Sequence, residues 1–347
     1  MNVLFHLGHP AHFHLFRHVI SDLRADGHGV DILIKKKDIL EDLLESAGWE
    51  YHNILPEGRG DGKLGLAMGM FKRDWRILRH CRERRPDILV GTSVEISHIG
   101  TLLGIPSINV NEDDWDVVPM YAKLGYPLAT RIFSPLGCRM GKWEHKTTHY
   151  PGYHELAYLH PSRFTPDPDV PLRYFGAGKP YVLLRFARLT AHHDAGIGGI
   201  SDQLAESIIE ELTPTHRVWI TSERELLPRF EPYRMRIDPL DMHHIMAAAD
   251  LYIGDSQTMA AEAGVLGVPF IRHNGFVGRI SYLDELENTY KLGYGVPVHD
   301  APRVLALLRS ILADPDRRTR WTTLRERMLS EKIDVTGWMV KEILKFV

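Results

Sequence analysis

Cysteine is scarce: Cys81 and Cys138 are the only two in 347 residues. Two thiols cannot build a disulfide framework or a four-thiolate zinc site, so they read as buried thiols of a reducing compartment. A positive charge excess is missing too, since 42 Lys and Arg against 45 Asp and Glu leave a formal charge of −3. Nucleic acid is therefore not an expected partner, because such binding announces itself as a basic excess. No apolar run approaches the ~18 residues of a membrane span, and no basic segment precedes Asn2-Val3-Leu4-Phe5. A spanning helix and a secretory leader are both unexpected, which points to the cytoplasm. The remaining composition, 44% apolar and 25% charged, is that of a globular protein long enough for two domains. Histidine is abundant, with 20 residues, several of them clustered.

The chain alternates short apolar runs with helix-period stretches. Val3–Leu7 reads as a strand, Phe13–Ala25 as a helix, and Val30–Ile34 as a second strand after Gly27-His28-Gly29. A helix over Ile39–Ala47, a strand over Tyr51–Leu55, a Gly-rich loop and a long helix ending at Arg85 follow. Further strands are expected at Ile88–Val90, Ser107–Val110 and Arg131–Phe133. Between Pro161 and Pro180 the periodicity disappears and prolines accumulate, which reads as a linker. A second series then runs through strands at Tyr181–Phe186, Arg217–Thr221, Leu251–Ile253 and Pro269–Arg272. Strand–helix alternation of this kind builds parallel sheets, so the fold class is α/β, with two Rossmann-like doubly wound domains facing an interdomain cleft. The expected domains are 1–163 and 164–334, with a C-terminal helix over 335–347 that packs back on the first.

Ligands of open α/β sheets bind beyond the strand C-termini, so the loops there carry the chemistry. The first is Gly8-His9-Pro10-Ala11-His12-Phe13-His14. It lacks Gly-x-Gly-x-x-Gly and offers imidazoles instead, the side chains best placed to take a proton near neutral pH. His12 is the candidate base; helix capping is the bland alternative, and a metal-dependent hydrolase site using His9, His12 and His14 is a third. The second loop is Gly254-Asp255-Ser256-Gln257-Thr258 with Glu262 one turn further on. Hydroxyls and amides at a helix start suit a diphosphate, and a carboxylate can accept two vicinal hydroxyls; simple N-capping is the alternative. The third, Glu112-Asp113-Asp114-Trp115-Asp116, is acidic and stands at an expected strand end, where a carboxylate orients His12 or acts as base. Arg185 and Arg188, with His192-His193-Asp194, follow the first strand of the second series and suit a departing diphosphate. Finally, Lys72, Arg73, Arg76, Arg79, Arg82, Arg84 and Arg85 against Asp74 and Glu83 give +5 (7 − 2) on one helix, behind an apolar Gly/Met loop, Leu64–Phe71. This suits an anionic membrane surface, or else is a solvated face with Phe71, Trp75 and Leu78 in the core.

These residues carry a resemblance. Glu262-Ala-Gly-Val-Leu-Gly267-Val-Pro269 resembles the glutamate, glycine and proline signature of GT-B glycosyltransferases, and Gly8–His12 followed by Gly27-His28 is similar to their N-terminal loop and helix end. The whole chain also resembles non-hydrolysing UDP-N-acetylglucosamine 2-epimerases, and most closely a prokaryotic family of about 350 residues without assigned function, through Gly152-Tyr153-His154-Glu155-Leu156-Ala157-Tyr158-Leu159. The epimerase pattern is broken, because Gly91-Thr92-Ser93 lacks its aspartate and Val118-Pro119-Met120-Tyr121 replaces its glutamate pair.

The resemblance implies GT-B architecture and sugar transfer from a nucleotide-sugar donor, UDP-linked by expectation, to a hydroxyl acceptor, lipid-linked or polysaccharide. No cofactor and no metal ion are expected. His12, Asp113 and Asp114 then take the catalytic roles, with His9, His14 and Glu112 on the acceptor side. Arg185, Arg188, Asp255, Ser256, Gln257, Thr258 and Glu262 hold the donor. An epimerase or hydrolase on the same fold, and a non-catalytic nucleotide-sugar-binding protein, remain open. Peripheral contact with the inner face of the membrane is a further expectation.

Overall fold

The computed structural model describes residues 1–36, 39–56, 62–187 and 198–346, and of 62–68 the backbone alone. The chain forms two compact units, one of Met1–Tyr158 with Ile333–Val347 and one of Leu159–Lys332.

The first unit is built on seven parallel strands: β1 (Asn2–Leu7), β2 (Gly29–Ile34), β3 (His52–Asn53), β4 (Ile88–Gly91), β5 (Ser107–Val110), β6 (Arg131–Pro135) and β7 (Thr147–Tyr150). Their order is β3-β2-β1-β4-β5-β6-β7. β1 is covered on both faces, so Val3, Leu4 and Phe5 are all buried and the strand reads as a continuous apolar run. The connecting helices are α1 (Pro10–Ala25), α2 (Leu40–Ser46), α3 (Gly62–Arg84), α4 (Val94–Leu103) and α5 (Pro119–Gly125). The strand order reverses direction after β3, so right-handed crossovers place α1 and α2 on one face and α3 to α5 on the other. Gly91, at the end of β4, has no room for a side chain: a Cβ there would lie 2.6 Å from the His6 carbonyl oxygen.

The second unit has five parallel strands: β8 (Tyr181–Phe186), β9 (Arg217–Ser222), β10 (Leu251–Gly254), β11 (Phe270–His273) and β12 (Gly293–Val296). Their order is β12-β11-β10-β8-β9. Its helices are α6 (Asp169–Phe175), α7 (Asp202–Leu212), α8 (Met242–Ala248), α9 (Gln257–Leu266), α10 (Ser281–Asp284), α11 (Ala301–Ala313) and α12 (Arg317–Glu331). α13 (Val335–Leu344) belongs to the first unit, where Trp338 meets Phe133 and Tyr150 with ring centroids 4.9 Å apart, and Thr336 Oγ1 donates to the Ala157 carbonyl.

Three readings are corrected. The stretch 161–180 is not merely a linker, because it contains α6, whose Val170 is buried. The apolar Gly/Met stretch is not a loop but the first turns of α3, since Leu, Ala and Met favour helix enough to carry its glycines. Phe71 and Trp75 are not core residues, being 71% and 54% exposed, while Ile77 and Cys81 turn inward. Two strands also escaped the sequence pattern. β7 is a polar edge strand, Thr147-Thr148-His149-Tyr150, and β12 carries Gly293, where a Cβ would strike the Phe270 ring at 2.4 Å.

Candidate functional site

In each sheet the strand order reverses between two neighbouring strands, β1 and β4 in the first and β8 and β10 in the second. These are the positions where such sheets hold ligands, beyond the strand C-termini.

At the first, β1 runs into the histidine loop. His9 is the N-cap of α1 and its Nδ1 accepts from the Ala11 N–H at 3.2 Å, with Pro10 pre-set for the first helical position. His12 turns back over the loop: its Nδ1 accepts the Gly8 N–H at 3.0 Å, and Thr92 Oγ1, just after β4, lies 2.6 Å from Nε2. With Nδ1 accepting from Gly8, neutral His12 carries its proton on Nε2, and Thr92 Oγ1 stands within hydrogen-bond distance of both ring nitrogens, 2.7 Å from Nδ1 and 2.6 Å from Nε2. Burial lowers its pKa well below the ordinary 6.5, and His9, Lys35, His154 and His6 lower it further. His14 packs on the Tyr158 ring, centroids 5.4 Å apart.

Residues outside the sequence-based set complete the cluster. His6, in β1, has Nδ1 2.5 Å from Ser93 Oγ, and burial brings its pKa down to about 4. Glu95, in the first turn of α4, forms a buried pair with Arg73 of α3, Oε1 to Nε 2.5 Å. Burial alone raises the Glu95 pKa, but His6, Arg73 and Lys35 outweigh it and the net shift is downward. Lys35 follows β2, and its Cε would lie 2.9 Å from a Cβ placed on Gly8. Nothing in the local pattern marks these side chains, because the strand order alone brings positions 6, 35 and 93 together.

The acidic loop after β5 divides by role. Glu112 faces the turn over His154–Ala157: Oε2 accepts the His154 N–H at 3.3 Å, and Oε1 lies 3.4 Å from His154 Nδ1. Burial drives the His154 pKa down to about 3, against the opposing charge of Asp113, and its Nε2 is buried without a partner in the described structure. Asp114 is buried, accepting the Arg139 N–H at 2.6 Å and pairing with its guanidinium. Its carboxylate holds the loop. Asp116 also pairs with Arg139.

In the second unit, Asp255 follows β10 and its carboxylate accepts the N–H groups of Ala187, at 2.5 Å, and of Ile200, at 3.2 Å. Burial raises its pKa to about 6 even though those N–H groups and Arg224 pull it down. Asn274 Nδ2 donates to the Asp255 carbonyl, and Arg272 reaches Asn274 while pairing with buried Glu287 at 2.8 Å. Ser256 is the N-cap of α9, its Oγ accepting from the Met259 N–H. Gln257 and Thr258 stand half-buried in the first turn. Glu262 is 4% exposed, with Oε1 2.9 Å from His243 Nε2, so the carboxylate is oriented by an imidazole that the sequence reading missed. Arg185 pairs with Glu223 and donates to Thr221. Arg188 and His192-His193-Asp194 lie outside the described residues.

Among the described residues, one group of three brings its donor atoms within 4.8 Å of one another: Asp31, His52 and His80, away from either strand-end cluster. His9, His12 and His14 form no such group. No described helix is long and apolar enough to cross a membrane.

Residues 1–276 match the family described as protein of unknown function DUF354. The chain belongs to the DUF354 family. Curated proteins give no match to this DUF354 chain. Among solved structures, it is similar to UDP-GlcNAc 2-epimerase from Neisseria meningitidis bound to UDP-GlcNAc, at 15% identity and a TM-score of 0.66, over 100% of this chain and 99% of that one. It is likewise similar to SsfS6, a glycosyltransferase of Streptomyces sp. SF2575, at 16% identity and 0.61, over 99% of each chain. Spinosyn rhamnosyltransferase SpnG complexed with spinosyn aglycone matches at 15% identity and 0.63, over 99% of this chain and 100% of that one. At such identities the likeness shows the fold, and that fold is GT-B.

Proposed function

We propose that this DUF354 protein is a metal-independent glycosyltransferase that moves a sugar from a nucleotide donor, UDP-linked, to a hydroxyl acceptor. The carrying observation is the imidazole cluster of His6, His12 and His154 at the β1/β4 reversal, where burial lowers the pKa of each ring and keeps it neutral near pH 7. The structural relatives that bind UDP-GlcNAc or transfer sugars support the donor class. In this reading the second unit holds the donor: the amides at the start of α9, with Ser256, Gln257 and Thr258, take the diphosphate, and Glu262 set by His243 takes the ribose. Arg185 and Arg188 offset the charge of the departing diphosphate.

His12, backed by Asp113, is one candidate for the base that deprotonates the acceptor, with His9, His14 and Glu112 lining the acceptor side. A specific observation favours His154 over it. The lone pair of His12 is already engaged by the Gly8 N–H, whereas Glu112 faces Nδ1 of His154 and leaves its buried Nε2 to take a proton. Asp114 then serves the fold of the loop. Glu112 orients the ring and is a positioning residue.

A thermal-shift screen of UDP-, GDP-, CDP- and dTDP-sugars tests donor binding, since a ligand at 100 times its Kd stabilises by about 2.7 kcal/mol. Turnover then separates the bases. His154→Ala lowers kcat roughly 100- to 10,000-fold with donor affinity retained, and His12→Ala does so instead if His12 is the base. Donor binding without turnover in any assay, and without effect of either substitution, favours the non-catalytic reading; exchange of the sugar's C2 proton with solvent favours the epimerase. Full activity in chelator is expected. The acceptor class, lipid-linked or polysaccharide, goes with a proposed peripheral contact between an anionic cytoplasmic bilayer surface and α3, where exposed Phe71 and Trp75 stand among Lys72, Arg79 and Arg82. Co-sedimentation with phosphatidylglycerol vesicles that is lost in Phe71→Ala/Trp75→Ala supports the contact.

A further inference from the structure

Asp31 lies in the middle of β2, His52 opens the short edge strand β3, and His80 stands on α3, which crosses the same sheet face. Alternation places Asp31 and Leu33 on one face of β2, and Leu33 joins Ile54, Ile77 and Cys81 in the core beneath α3. Asp31 thus emerges at the rim of that core. His80 Nε2 is 2.5 Å from Asp31 Oδ2, His52 Nε2 is 3.6 Å from Oδ1, and the two rings lie 4.9 Å apart, centroid to centroid. His80 and Asp31 are mostly buried while His52 is half-exposed, so the group is open to ions from solvent on one side.

We propose that Asp31, His52 and His80 form a site for a divalent transition metal, zinc above all, that clasps the edge of the first sheet to α3. Two imidazoles and one carboxylate are borderline donors of the kind zinc prefers, and a fourth position remains for water. Donors ~2.0–2.1 Å from a tetrahedral ion stand roughly 3.3 Å from one another. His52 Nε2 lies 3.6 Å from Asp31 Oδ1 and His80 Nε2 2.5 Å from Oδ2, and one donor atom of each residue already lies within 4.8 Å of the others, so side-chain adjustments on the order of 1 Å bring the three round one ion. A third contact of the Asp31 carboxylate, Arg84 Nε at 4.0 Å, comes from a largely exposed side chain that is free to swing toward solvent. Cys81 does not take part, since burial pushes its thiol up to about 12 and only the thiolate ligates well. The ion would tie β3, which contributes just two residues to the sheet, to the helix that follows it, and no step of the proposed sugar transfer passes through it.

The test uses the full-length protein after chelator treatment, titrated calorimetrically with zinc chloride. One ion per chain is expected at micromolar or tighter Kd, with a raised Tm. Cobalt(II) in its place should give the visible bands of a low-coordinate site. His52→Gln, at a half-exposed position that tolerates change, should weaken zinc by at least tenfold, and Asp31→Asn and His80→Gln more; His145→Gln, on an exposed histidine elsewhere, should not. Absence of stoichiometric binding, or binding that survives His52→Gln and Asp31→Asn alike, overturns the site and leaves a plain Asp–His hydrogen bond. Neither result bears on donor binding, which the nucleotide-sugar screen reads separately.

Discussion

The two strand-end clusters occupy equivalent positions in their sheets, yet they use polar groups in opposite ways. At the β1/β4 reversal the polar side chains mostly face one another: His6 with Ser93, His12 with Thr92, Glu95 with Arg73, His154 with Glu112. At the β8/β10 reversal the groups of the Asp255 loop face the backbone, Asp255 taking the Ala187 and Ile200 amides, Asn274 the Asp255 carbonyl and Ser256 an amide of α9, while Arg185 and Glu262 pair with the side chains of Glu223 and His243. The first arrangement stores imidazoles in the neutral state. The second stiffens loops so that the amides at a helix start keep fixed directions. Proton transfer would call for the former and anion binding for the latter, and the proposed function assigns the two roles on that basis.

The largest expected effects come from the buried ion pair beside each cluster. Glu95→Ala strands Arg73 and Glu287→Ala strands Arg272, so each should cost ~3–5 kcal/mol in denaturant unfolding, while matched apolar replacement of both partners should recover much of it. An equal loss in both units with turnover affected through Glu95 alone would sharpen the contrast; a loss under ~1 kcal/mol at either would break it.

Acid should next pull the units apart. His6 binds a proton at 6.5 when unfolded but only near 4 when folded, so its unit loses stability as pH falls from about 6.5 to 4, on the order of 3 kcal/mol for this group. Asp255 has the opposite sign. Its folded pKa of about 6 lies above the unfolded 3.8, so its contribution is full below pH ~4 and is lost as pH rises through 6. Hydrogen exchange followed by mass spectrometry, corrected for intrinsic rates, should show first-unit peptides opening more at pH 4.5 than at 7, with Asp255→Asn flattening the trend in the second unit. The same pH dependence in both units would defeat the idea.

Smaller effects test the capping role and the exposed face. Ser256→Ala removes the α9 N-cap and should cost about 1 kcal/mol, together with weaker nucleotide binding in calorimetry; unchanged affinity would detach the α9 start from the donor. Trp75→Ala should change stability by no more than ~0.5 kcal/mol, because the ring is already more than half in solvent. A larger loss in thermal unfolding would mean that Trp75 belongs to the core after all.

Much of the scaffold was legible from local pattern. The apolar run Val3–Leu7, the turn at Gly27 and the helix start at Ser256 each follow from residues adjacent in the chain, and the histidine loop and the Asp255 loop were found at strand ends. The pattern failed where local signals are weak or where glycine replaces bulk, as in the polar strand β7 and in β12, whose Gly293 exists to make room for Phe270. It also misread α3. A helix with seven basic residues looks charged all round until a tertiary partner claims one of them, and Glu95 claims Arg73, leaving Phe71 and Trp75 outside.

By itself, then, the sequence determined ten of the twelve strands, where the loops that follow them begin, and which of those loops carry imidazoles, hydroxyls or carboxylates, because periodicity and capping are properties of neighbours in the chain. Which of those groups meet was decided by the tertiary structure alone. His12 meets Thr92 across 80 positions, and Glu112 meets His154 across 42. Such contacts are fixed by strand order, and strand order is set by how the sheet faces are buried as a whole rather than by any stretch of residues. Burial is also what lowers the pKa values of His6, His12 and His154, so their chemistry exists only once the core around them has closed.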